Sequence, residues 1–214
     1  MTLRVDRGRR TAWLAGAAAL ALVALVAFLV LPSGQGSTAA PDPGITEQST
    51  LRPVEPRPDG RPPNRLVVPS LGLTAPLEPI EVTPAGVLTP PDDGDVVGWW
   101  RRSAQPGARQ GQTVVTGHTF RSGPAAMNEL GTVDEGSVVR VHDDGVVVEY
   151  RVTGVVKYSV DKVADKAYDL FAQDRGDGRL VMVTCTDYVD GDYRSNVIVF
   201  AEPVGQAEKA RRVA

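Results

Sequence analysis

From residue 64 onward this 214-residue chain predicts an all-β domain, a closed barrel or a sandwich. Three observations predict it. Eight short apolar or alternating runs recur between residues 65 and 201, separated by Gly, Pro and Asp turn residues. Valine dominates those runs, and a β-branched side chain suits a pleated, half-buried surface. The stretch of about 140 residues is long enough to bury a proper core.

The strands are expected in this order. Residues 65–69 (RLVVP) form a short first strand, and residues 71–77 a second that ends at Pro79. Residues 95–102 (DVVGWWRR) make a third, and residues 112–117 a fourth that runs up to His118. Residues 137–142 alternate apolar and polar, Asp143-Asp144-Gly145 signals a hairpin, and residues 146–156 form the returning strand. Residues 179–185 and 196–201 are the last two. Helical signals are short: residues 124–130, with Pro124 near the start, and residues 164–171. Residues 187–192 read as a polar loop and the segment after residue 202 as a charged, frayed tail.

The first 63 residues are of a different kind. Residues 11–31 carry no charge, and a run of about 20 apolar residues crosses a hydrocarbon core. Arg4, Arg7, Arg9 and Arg10 precede it, which places residues 1–10 in the cytoplasm and the remainder outside. A cleaved signal peptide is the alternative. The apolar run exceeds the roughly 7–15 residues of a signal core, so an uncleaved single-pass anchor is favoured. Residues 32–63 hold eight prolines among Ser, Gly and charged residues, with no apolar periodicity. Such a segment is extended and cannot fold alone; at about 3.1 Å per residue it reaches on the order of 100 Å. It reads as a linker that holds the 64–204 domain off the membrane, with residues 205–214 as the tail.

The net charge of −3 and the lack of a basic face exclude a nucleic-acid partner on electrostatic grounds. No metal-ligand cluster is visible, and no cofactor is expected. The single cysteine, Cys185, cannot form an intramolecular disulfide, and an unpaired thiol outside the cytoplasm marks either a reactive group or a buried structural residue. It follows the apolar run Leu180-Val181-Met182-Val183-Thr184 and precedes polar residues. That places it at a strand mouth, where a thiol meets solvent and substrate. His118 ends an apolar strand beside Gly117, whereas His142 precedes a turn and needs no special role. Arg194 opens the strand after Cys185. A guanidinium there favours a thiolate and stabilises a developing oxyanion; paired with Asp187, Asp190 or Asp192 it would be an ordinary solvated arginine. Together the three supply a nucleophile, a proton-transfer partner and an oxyanion stabiliser.

These residues resemble the sortase family of Gram-positive transpeptidases. The similarity runs in order through Gly98-Trp99-Trp100, Pro106-Gly107, Gly111, Thr116-Gly117-His118, Leu130 with Gly136 and Val139, Val183-Thr184-Cys185 and Arg194. It covers roughly residues 64–203 and is nearest the actinobacterial types, class F ahead of class E. The resemblance implies a closed eight-stranded barrel with the site at strand ends. It implies that Cys185 attacks the Thr–Gly carbonyl of an LPXTG-like sorting signal, that His118 moves protons, and that Arg194 holds substrate or oxyanion. Thr184, through its hydroxyl, and Thr186, through its backbone amide, are weaker candidates for orienting substrate and stabilising the oxyanion. The partners implied are the sorting-signal peptides of surface proteins and an amine acceptor of the envelope, a peptidoglycan precursor. The Cys-to-Arg interval is short, and an Asp-Pro-aromatic lid is missing, since Asp42-Pro43 is followed by Gly44. Two rival readings remain: another wall cysteine acyl-transferase, of the L,D-transpeptidase kind, which places His and Gly immediately before its cysteine, and a non-catalytic β-domain that binds envelope ligands.

Overall fold

The computed structural model of the chain describes residues 62–208, with side chains described through residue 205. The segments expected to form a cytoplasmic N-terminus and a membrane anchor over residues 11–31, and nearly all of the expected linker, lie outside the described residues. Among the described residues no helix is long and apolar enough to cross a membrane.

Eight strands close into a barrel. They are β1 (Arg65–Val68), β2 (Leu73–Ile80), β3 (Val97–Trp100), β4 (Gly111–Thr116), β5 (Val138–His142), β6 (Val146–Ser159), β7 (Asp177–Val189) and β8 (Asp192–Glu208). Around the barrel they run β1-β2-β3-β4-β7-β8-β6-β5, closed by β1 pairing with β5. The β2–β3 and β4–β7 pairs are parallel and the rest antiparallel. All-β architecture is therefore as expected, and closure selects the barrel over the sandwich.

Side-chain alternation sorts the strands into two cores. Leu180 and Met182 of β7, Val197, Val199 and Ala201 of β8, Val115 and Trp99 fill the barrel interior. Val181, Val183, Val114, Ile198 and Trp100 point the other way, beneath helices α1 (Val160–Asp165) and α2 (Ala167–Phe171), which cover them with Val163, Ala167, Leu170 and Phe171. The β4–β7–β8 strip is thus buried on both faces, which explains its near-continuous apolar sequence.

Several expectations are corrected. Residues 124–130 form no α-helix. The Ala126 amide donates to the Gly94 carbonyl, and the amides of Asn128, Leu130 and Thr132 each bond three residues back, so the segment winds as tight turns ending in a 3-10 turn at Leu130–Thr132. The 164–171 helix is two helices. The first begins at Val160, capped by the Ser159 hydroxyl accepting from the Lys162 amide, and Lys166 separates it from the second. β2 continues through Pro79 to Ile80 because its parallel partner β3 offers pairing that far. β8 runs to Glu208 instead of fraying after residue 202, since the long β6 pairs with it as far as Val146↔Glu208.

The largest correction concerns residues 187–192. β7 and β8 pair out to Val189↔Asp192, leaving a two-residue connection. Asp190 (φ 52) and Gly191 (φ 88) both adopt left-handed backbone, as a type I′ hairpin turn requires.

Candidate active site

Parallel pairing of β4 with β7 sets Thr116 opposite Val183. His118 and Cys185 each lie two residues further on, so both strands deliver them to the same end of the sheet. β8 pairs antiparallel with β7, and Cys185 faces Asn196. Arg194 lies two residues before Asn196 and takes the same face of β8, level with Asp187. Three neighbouring strands therefore carry the three expected residues to one end.

Cys185 is not at the strand's mouth. It lies within β7 and is only 7% exposed. Burial, with the Asp192 carboxylate adding to it, pushes the thiol up to about 11, so the resting group is a neutral thiol. Asn196, fully buried, aims its Nδ2 at the sulfur (3.8 Å) and at the Thr184 carbonyl (3.3 Å), while its Oδ1 has no partner among the described residues. Sequence reasoning missed Asn196. A lone amide in the apolar run Asn196-Val197-Ile198-Val199 was the signal that could have found it.

His118 is half-buried, its ring stacked on Phe120 with centroids 5.6 Å apart. Gly117 before it is a packing requirement: a Cβ there would come within 2.9 Å of the buried Met127 side chain. Arg194 is exposed, and among the described residues no carboxylate pairs with its guanidinium. Asp187, one of its candidate partners, is engaged instead by the Ser195 hydroxyl and by Lys157 of β6 at 3.2 Å, which together hold its carboxyl below the usual value. Asp187 also sits in left-handed backbone (φ 56), and the Asp187–Arg194 rung is missing from an otherwise regular ladder.

Thr184 is buried, and its hydroxyl is committed to protein. It donates to the Gly117 carbonyl (2.8 Å) and accepts from the Thr119 hydroxyl (2.6 Å). Its partners are the backbone and side chain on either side of His118, so it ties the histidine loop to β7 and is not free to orient substrate directly. Thr186 continues β7 opposite Ser195 and is partly exposed. Among the described residues no group of His, Cys, Asp and Glu could hold a metal ion.

No curated protein sequence matches the chain. Solved structures share its fold. Sortase E1 from Streptomyces coelicolor superposes with a TM-score of 0.55 at 18% identity, covering 72% of this chain and 95% of that one. Sortase A from Listeria monocytogenes gives 0.53 at 14% identity, with 69% and 90% covered. Sortase C-1 from Actinomyces oris gives 0.52 at 22% identity, with 68% and 76% covered. The family model for the sortase domain matches residues 66–204, the whole barrel but for its edges. This chain belongs to the sortase family of cysteine transpeptidases.

Proposed function

We propose that the chain is a single-pass membrane protein whose extracytoplasmic barrel cleaves an LPXTG-like sorting signal between Thr and Gly and transfers the acyl group to an amine of the cell envelope, a peptidoglycan precursor. The observation that carries this reading is that the register of β4, β7 and β8 brings His118, Cys185 and Arg194 to the same end of the sheet. The assignment to an actinobacterial type, class F ahead of class E, rests on the sequence motifs.

The chemistry starts from the neutral thiol. His118 takes the Cys185 proton as the sulfur attacks the scissile carbonyl, and Arg194, unpaired with any carboxylate among the described residues, receives the developing oxyanion. The C–N bond breaks, the proton passes from His118 to the leaving amine, and a thioester remains on Cys185. The acceptor amine then attacks the thioester, giving its proton to His118 and forming the new amide. The proton returns to sulfur, and the enzyme is unchanged.

The test uses the full-length protein in mild detergent with a fluorogenic LPXTG peptide, an amine acceptor and mass-spectrometric product analysis. Cleavage after Thr with acceptor-dependent ligation is expected, and loss of both in Cys185→Ala. A panel varying the second and fourth motif positions that yields no product while Cys185 remains alkylatable would reject the sorting-signal substrate. No product with an unreactive Cys185 would reject catalysis.

A further inference from the structure

The segment 117–121 leaves β4 carrying His118 and has no regular secondary structure of its own. What fixes it comes from the strands that carry the other two functional residues. Thr184, immediately before Cys185, donates its hydroxyl proton to the carbonyl of Gly117. Tyr193, immediately before Arg194, donates its phenol proton to the carbonyl of Thr119. The two carbonyls flank His118 on either side. The Tyr193 oxygen in turn accepts from the Arg121 amide. The tyrosine ring is itself braced edge-on by Tyr188, with centroids 5.0 Å apart, over which the Arg121 guanidinium lies at 5.5 Å. Tyr193 is partly buried, and burial, with the Cys185 sulfur next in effect, raises its phenol, so it stays a proton donor through the neutral range.

We propose that Tyr193 is a positioning residue for His118, the β8 half of a clamp whose β7 half is Thr184. It fixes where the imidazole stands relative to the Cys185 sulfur and does not itself meet substrate. Because the clamp residues are sequence neighbours of Cys185 and Arg194, the histidine is referenced to the same two strands as its partners. A displaced proton-transfer group slows chemistry while leaving substrate binding alone, and shifts of about 1 Å cost up to roughly a hundredfold. The proposal rests on the transpeptidase reading for its kinetic arm and not for its spectroscopic arm.

Tyr193→Phe is the test, since it removes one oxygen and keeps the ring that packs on Tyr188. The full-length protein is labelled at histidine Cε1 and observed by NMR in detergent. The sequence has two histidines, and His142, whose Nδ1 lies 3.2 Å from the Arg65 guanidinium on the β1–β5 side, is the internal control for folding. The expected result is a moved His118 resonance, an unmoved His142 resonance, and a kcat about tenfold lower with KM within about twofold. A variant turning over within about twofold of wild type, or an unmoved His118 resonance, would overturn the proposal. A wild-type protein that cleaves no sorting peptide would instead reject the transpeptidase reading, and the spectra alone then decide the clamp.

Discussion

At the scale of single residues, the state of the resting nucleophile follows from its surroundings. Cys185 sits in an apolar stripe with Val181 and Val183, 7% exposed, and the nearby Asp192 carboxylate adds to the cost of a thiolate. From an ordinary value of 9.0, this thiol is pushed up to about 11. Alkylation by iodoacetamide follows the thiolate fraction. Modification of Cys185 should therefore be slow at pH 7 and still rising at pH 10. Asp192→Asn keeps an oxygen to accept from the Tyr193 amide, as Asp192 does at 2.8 Å, but removes the charge, so its alkylation profile should shift to lower pH. A wild-type profile with its midpoint below pH 8 would show that His118 or Arg194 already holds a thiolate at rest. The fully buried Asn196 acts in the opposite sense: its Nδ2, 3.8 Å from the sulfur, favours a thiolate, while its orphaned oxygen costs about 1–3 kcal/mol in an apolar stripe.

Among the elements, the histidine loop is shaped by a contact distant in sequence. Phe120, whose ring stacks on His118, lies against Gly94, where an added Cβ would come within 2.3 Å of the Phe120 ring. That brings the segment before β3 into the site. Gly94→Ala should displace Phe120 and lower kcat/KM by several-fold, and Phe120→Ala should do the same. The double variant should lose little more than either single one, because both break one contact. Additive losses measured in that cycle would mean that Gly94 acts on the site by another route. None of this was legible in the sequence, since Gly94 in Asp92-Asp93-Gly94-Asp95 reads as an ordinary loop glycine. The strands themselves were legible because their apolar residues are buried and periodic, as in the iBiB pattern of β1 or the alternation of β2. The short helices were not. Residues 124–130 have helical composition, yet the Gly94 carbonyl claims the Ala126 amide, and tertiary hydrogen bonds override local propensity.

For the molecule as a whole, the three chemical residues could be picked out by type and order, but their packing could not. Cys185 looked like a strand end because Asp187, Asp190 and Asp192 follow it. The Asp190-Gly191 dipeptide, a hairpin signal as strong as Asp144-Gly145, extends the ladder past it and buries the thiol. The tail looked frayed because Glu202 to Glu208 offer little to bury, whereas β6 holds them through backbone pairing. The closed barrel also sequesters Tyr150, whose hydroxyl oxygen accepts from the Gly107 amide at 2.9 Å and whose burial pushes it up to about 12. Cys185 and Tyr150 thus both bind their protons more tightly folded than unfolded, from ordinary values of 9.0 and 10.0. Stability from these groups is whole below about pH 9 and is lost as pH rises towards 11 and 12, by at most about 1.4 kcal/mol per pH unit for each group. The melting temperature of the full-length chain in detergent should hold between pH 7 and 9 and fall increasingly steeply above it. Cys185→Ser, which does not ionise in this range, should flatten the first part of the fall. Tyr150→Phe should flatten the second, although it starts from a lower value because the Gly107 amide loses its acceptor. A wild-type melting temperature that stays level to pH 11 would mean that water reaches both groups in the folded protein, and that neither the barrel interior at Tyr150 nor the helix-covered face at Cys185 is sealed.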